Sequence, residues 1–176
     1  TVETFIMLLE DYCTSLARSG FRRIVMFSSH GGNSDLMAAH FPAIAKKLAD
    51  RTLVYMVVPQ RQAAKEQQDF LVGQGISIGA AGAHAGYTET AEMLVVHPEL
   101  VKMDEAVPGL ADDDVYSPER VRFSQLKAFV EGIDALSPET GVLGDPTGAA
   151  AGVGQKLLDF RVNMIVEQLR ALEKVE

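Results

Sequence analysis

Arg23-Ile24-Val25-Met26-Phe27-Ser28-Ser29-His30-Gly31-Gly32 passes from a short apolar, partly β-branched run into a polar loop that ends in two glycines. An apolar run of this length, without polar alternation, is the pattern of a strand buried in a parallel sheet. Upstream, Val2, Phe5, Ile6, Leu8, Leu9, Tyr12, Cys13, Leu16 and Ala17 recur at helical spacing, and Ser19-Gly20 supplies a stop. Downstream, Asn33 or Ser34 is expected to cap a second helix reaching about Asp50, with Leu36, Met37, Ala39, His40, Ala43, Ile44 and Leu48 available for its inner face. Pro42 falls inside that span and is expected to kink it. Residues 52–58 (Thr-Leu-Val-Tyr-Met-Val-Val) read as a second strand ended by Pro59, and residues 60–72 as a helix lying mostly in solvent.

Beyond this strand–helix–strand unit, Gly73, Gly75, Gly79 and Gly82 loosen the backbone before a helix expected over residues 88–96. Residues 97–125 hold no sustained period, contain Pro98, Pro108 and Pro118, and read as an irregular excursion. Its acidic run, Asp112-Asp113-Asp114, lacks the glycine and terminal glutamate of a calcium loop and is expected to be solvated. Residues 141–148 (Gly-Val-Leu-Gly-Asp-Pro-Thr-Gly) precede a terminal helix over about 149–175. Alternating helices and short apolar strands predict an α/β fold of three layers, a mainly parallel sheet with helices on both faces, in a single domain over 1–176.

Composition narrows the function classes. With 16 Lys+Arg against 24 Asp+Glu, the net charge of −8 disfavours a phosphate-backbone binder, so no nucleic-acid partner is expected. Cys13 is the single cysteine, so it cannot form an internal disulfide, and its apolar helical setting predicts a buried thiol. The longest apolar runs are too short to span a bilayer, and residues 1–20 carry acids without a basic start or a cleavage site. A cytoplasmic protein with no membrane partner is the expectation.

Ligands of open parallel sheets bind at the carboxyl ends of strands, and His30 lies there, directly after the first strand. In His84-Ala85-Gly86-Tyr87-Thr88-Glu89-Thr90, the histidine and Glu89 face one site if Thr88 caps a helix and Glu89 sits in its first turn. Imidazole with carboxylate suits zinc, manganese or iron; the plainer reading is that Glu89 complements a helix dipole. Residues 141–148 read more simply as a structural turn, and His40 and His97 as packing or surface residues. A nucleotide-binding domain is disfavoured, because no Gly-x-Gly-x-x-Gly follows a strand and no P-loop lysine is present.

Three passages in this order resemble the creatininase family of metal-dependent amidohydrolases. Ser29-His30-Gly31-Gly32-Asn33-Ser34 is similar to its Asn-Gly-His-Gly-Gly-Asn loop, residues 84–90 to its His-Ala-Gly-x-x-Glu-Thr segment, and residues 141–147 to its Gly-Val-x-Gly-Asp-Pro stretch. The resemblance implies a two-metal hydrolase that opens a cyclic amide or removes an N-formyl group, with metal-bound water as nucleophile. It assigns His30 and Glu89 as metal ligands and His84 as the proton donor or acceptor at the scissile bond. Ser29, Gly31, Gly32, Asn33 and Tyr87 would then lie against the substrate, a small-molecule amide, and the metal would be zinc, manganese or iron. Gly32 stands where creatinine-specific members carry Glu, which points away from creatinine itself.

The family's earlier Glu-x-His pair and Asp, which supply three metal ligands, have no counterpart here. The chain is therefore expected to correspond to the carboxyl-terminal two thirds of a member, as a truncated chain or one subunit of a split enzyme. The alternative is a catalytically inactive structural or binding subunit that has lost its metal ligands and holds no metal. The absent segment would leave an open strand edge or apolar face, so a homo-oligomer or a partner chain is expected. The terminal helix, with Leu157, Phe160, Ile165 and Leu169, carries more apolar positions than one face requires and is the expected contact.

Overall fold

The structure is a computed structural model that describes residues 1–57, 59–111 and 140–174. Residues 112–125 of the irregular excursion, with the acidic run and Pro118, lie outside the described residues. Two compact units are present: residues 1–62 with 165–176, and residues 63–164.

In the first unit, α1 (Val2–Arg18) starts at Thr1, whose hydroxyl oxygen accepts the Thr4 N–H at 3.2 Å. It ends at Ser19, and Gly20 carries the turn with φ +92°. The stripe Phe5, Leu9, Cys13 and Leu16 faces a core of Ile24, Met26, Met37, Ile44, Leu48 and Val54. Cys13 is buried with its Sγ 3.5 Å from the Met26 sulfur, and burial pushes its thiol pKa up. A buried structural thiol is what the sequence predicts.

β1 (Arg23–Met26) pairs in parallel with β2 (Leu53–Met56), Arg23 opposite Leu53 and Met26 opposite Met56. α2 (Gly31–Leu48) connects them, completing a strand–helix–strand crossover that packs on β2 and on α1. Both strands are shorter than the sequence suggests, and they are not buried on both faces. Ile24, Met26 and Val54 point into the core, whereas Val25, Leu53 and neighbouring Phe27 are 37%, 47% and 53% exposed. A parallel pair with one uncovered apolar face departs from the usual two-sided burial of such strands.

The start of α2 also differs. The helix begins at Gly31 with His30 at the N-cap, and neither Asn33 nor Ser34 caps it. Ser34 instead donates its hydroxyl back to the His30 carbonyl at 3.2 Å, as serine does inside a first turn. Pro42 is inside α2.

In the second unit the core is Leu71, Ile76, Ala81, Tyr87, Ala91 and Leu157. α3 (Pro59–Gly73) is followed by α4 (Ile78–Ala81), a single turn capped by Ser77, whose hydroxyl oxygen accepts the Ala80 N–H at 3.1 Å. The sequence reading passes over α4 because four residues between glycines carry no helical period. α5 (Tyr87–Val96) comes next, then two 3₁₀ turns (Pro98–Leu100 and Met103–Glu105) and α6 (Ala151–Leu172). A Cβ on Gly154 would lie 2.0 Å from the Ala91 carbonyl oxygen, so α6 meets the backbone of α5 directly. Leu157 is fully buried, and Phe160 and Ile165 are half-buried, so the apolar positions of α6 left open are instead Val162 and Leu169.

Candidate functional site

His30 sits at the exposed N-cap of α2, and its backbone is fixed from both sides. The Ser28 hydroxyl oxygen accepts the His30 N–H at 3.1 Å and donates to the His30 carbonyl at 3.3 Å, and the Ser34 N–H donates to that carbonyl at 3.2 Å. The imidazole folds over Gly32: a Cβ there would be 3.1 Å from its Cε1 and 3.3 Å from its Nδ1. Any side chain at 32 therefore presses on the ring. Ser29 is exposed, and Gly32 and Asn33 are half-buried in the first turn of α2.

In the second unit the passages 84–90 and 141–148 come together. His84 and Leu143 form an antiparallel bridge: the His84 N–H donates to the Leu143 carbonyl at 3.2 Å, and the Leu143 N–H returns to the His84 carbonyl at 2.8 Å. The approach is possible because Gly82 and Gly144 lack side chains; a Cβ on Gly82 would fall 2.2 Å from the Leu143 oxygen. Residues 141–148 are thus the structural brace of the His84 turn as well as the lead-in to α6. Asp145 accepts the Thr147 hydroxyl at 2.6 Å and the Thr147 N–H at 2.9 Å, and these bonds hold its carboxyl below the usual range.

α5 starts one residue earlier than the sequence suggests, with Gly86 at the N-cap and no side-chain cap from Thr88. Glu89 does lie in the first turn, where its Oε2 accepts the Ala85 N–H at 2.6 Å. That contact both complements the helix dipole and ties Glu89 to the residue after His84. Ala85 is the one non-glycine with positive φ among the described residues, at +51°. Such strain costs on the order of 1 kcal/mol and persists where neighbouring structure enforces it. His84 and Glu89 are exposed, whereas Tyr87 is buried in the core, with its ring 3.8 Å from where a Cβ on Gly148 would be.

Behind Glu89, one turn along α5, Glu92 accepts Arg161 Nη1 of α6 at 2.8 Å. Burial raises the Glu92 pKa, Arg161 pulls it back, and the Glu89 charge raises it further. Among the described residues, Glu92 Oε1 and Arg161 Nε are buried without a hydrogen-bond partner, each costing about 1–3 kcal/mol. The sequence reading misses this pair because two charges separated by 69 residues leave no periodic signal.

His30, His84 and Glu89 are nitrogen and oxygen donors of the type zinc and manganese take. Among the described residues, however, no three His, Cys, Asp or Glu side chains assemble into a group that could hold a metal ion. No described helix is long and apolar enough to cross a membrane.

Residues 1–169 match the family model "Creatininase: Creatinine amidohydrolase". Mycofactocin precursor peptide peptidase of Mycolicibacterium smegmatis is 30% identical over 164 residues, covering 93% of this chain and 55% of that protein. The protein of the same name from Mycobacterium ulcerans is 30% identical over 169 residues, covering 95% and 55%. The chain thus spans about half the length of the curated relatives it matches. Among solved structures, "Creatininase Mn" superposes with a TM-score of 0.68 at 23% identity, over 97% of this chain and 64% of that one. "Crystal structure of creatinine amidohydrolase (creatininase)" gives 0.66 at 22% identity, over 96% and 63%. At such identity the likeness shows the fold, an α/β arrangement in which this chain contributes its parallel pair. With the family model matched over nearly its whole length, the chain belongs to the creatininase family.

Proposed function

We propose that this chain is part of a metal-dependent amidohydrolase that cleaves a non-peptide C–N bond of cyclic-amide or N-formyl type in a small molecule. The observation that supports this most is the braced His84–Glu89 turn: an exposed imidazole and an exposed carboxylate held by Leu143 and by the Ala85 amide. His84 is the group that hands a proton to the departing nitrogen, a task that suits an imidazole. His30 and Glu89 are the metal donors, and Ser29, Gly31, Gly32 and Asn33 lie toward the substrate, whereas Tyr87 is taken up by the core. The metal is zinc, manganese or iron; a solved relative bears manganese in its name. Firm binding takes three or more protein ligands, so the remaining donors come from elsewhere: the rest of a longer chain or a partner subunit. Function in the cytoplasm fits the composition.

A second reading concerns the bond rather than the site. Both curated relatives are named as peptidases of a precursor peptide, which favours a peptide C–N bond. A catalytically inactive binding subunit is the third possibility. The test is hydrolysis of N-formyl, cyclic-amide and peptide substrates by the chain combined with the part of the Mycolicibacterium smegmatis relative it does not match, with metal content measured alongside. The chain alone is expected to retain under about 0.1 zinc or manganese per molecule after dialysis, because two or three donors do not fix a site. Tightly held stoichiometric metal would contradict that and implicate other donors such as His97 or Asp145.

Association is expected as well, through the uncovered face of β1 and β2 that Val25 and Leu53 expose. Light scattering should show a species larger than a monomer at micromolar concentration, and Leu53→Asp should reduce its mass with helix content unchanged. A stable wild-type monomer would contradict this.

A further inference from the structure

We propose that Arg161, acting through Glu92, is a positioning residue for Glu89 and for the His84 turn that Glu89 holds. This rests on the reading of His84 and Glu89 as functional groups. Glu89 and Glu92 are three apart on α5 and so lie on one face, where like charges oppose each other. Glu92 is largely buried, with 13% of its side chain exposed, and among the described residues its carboxylate takes its counter-charge from α6, through Arg161 Nη1 at 2.8 Å. The pair is poorly matched for stability alone, since Glu92 Oε1 and Arg161 Nε remain buried without partners. What the pair does is tie α5 to α6 at Glu92, next along α5 from the close contact of Ala91 with Gly154 and two turns along α6 from Gly154.

Two attachments on one helix fix its rotation. With Arg161 removed, Glu92 either takes up a proton or swings toward water, and in both cases the first turn of α5 is free to rotate. Glu89 then leaves the Ala85 N–H, and the 2.6 Å bond that ties the first turn of α5 to the strained residue beside His84 is lost. The chain of contacts is Arg161 to Glu92, Glu92 to the α5 backbone, Glu89 to Ala85, and Ala85 to His84.

The test is amide hydrogen exchange of the full 176-residue chain by NMR, read at Ala85, with thermal unfolding measured in parallel. Glu89→Met, which removes the acceptor, serves as the reference for loss of the direct bond. Arg161→Met is expected to speed Ala85 exchange by about tenfold, as Glu89→Met does, and Arg161→Lys to restore it to within about threefold of wild type. The double variant Glu92→Met with Arg161→Met replaces the pair by apolar side chains and is expected to keep the wild-type melting temperature while Ala85 still exchanges fast. Wild-type protection at Ala85 in that stable double variant would overturn the proposal. So would uniform loss of protection along α5 and α6 with no excess at Ala85. Hydrolysis assays of His84 and Glu89 variants judge the functional reading separately, so either idea can fall without the other.

Discussion

Replacing His84 with alanine is expected to lower hydrolysis by the assembled enzyme by about 10²- to 10⁴-fold, with little change in KM or in melting temperature. The size follows from the role proposed for it: a positioned imidazole would lower the barrier for proton transfer to the leaving nitrogen, and no other described histidine stands on this turn. The side chain is exposed, so its loss leaves no cavity, and the bridge to Leu143 uses only backbone atoms and survives the change. Steady-state kinetics on the best substrate of the panel measures the drop. A variant with unchanged kcat would remove His84 from the chemistry.

The second large effect is on stability. Gly154→Ala is expected to destabilise the chain by at least about 3 kcal/mol, although alanine is ordinarily the better helix former by about 1 kcal/mol. The reversal comes from the 2.0 Å separation between the added Cβ and the Ala91 oxygen, and from the Ala91 carbonyl carbon at 2.4 Å. Both are backbone atoms, so no side-chain rotation relieves the overlap; α5 and α6 must part, uncovering Leu157 and Ala91, each 0% exposed. Gly152→Ala, two residues earlier where nothing lies within 4 Å, is the control and should gain up to about 0.5 kcal/mol. Urea unfolding of the two variants should move in opposite directions. Equal, small effects would mean that α5 and α6 are not in backbone contact.

The first unit was legible because its signals are local. The stripe through Phe5, Leu9 and Cys13, the apolar runs at 23–27 and 52–58 and the stop at Ser19-Gly20 each lie within a few residues of the structure they produce. Boundaries were harder. His30 displaces Asn33 and Ser34 as N-cap because the Ser28 hydroxyl holds its backbone in the extended conformation a cap needs, and that contact is invisible as a propensity. One-sided burial of β1 and β2 was also hidden, since Val25 and Leu53 look like core residues and only the three-dimensional arrangement leaves them open.

At the site, the motifs pointed to His84 and Glu89, and the structure places both on one turn. What spacing could not reveal is how that turn is made, by a strained Ala85 and the brace from Leu143, or that a half-buried ion pair from distant parts of the chain lies behind it. These depend on backbone approach and tertiary partners rather than on residue type. Tyr87 illustrates the converse, since a motif position that the resemblance places against substrate is packed among Leu71, Ala91 and Leu157.

In the proposed enzyme His84 and Glu89, tied together through the Ala85 amide, stand at one metal site. The most direct measurement is a titration of the 176-residue chain with Mn²⁺, following the imidazole resonances of its four histidines by NMR, because paramagnetic broadening reports a nearby ion even when binding is weak. His84 is expected to broaden first, His40 and His97 to stay sharp, and Glu89→Gln to weaken the His84 response. Broadening of His40 or His97 ahead of His84, or a His84 response unchanged in Glu89→Gln, would contradict the proposal.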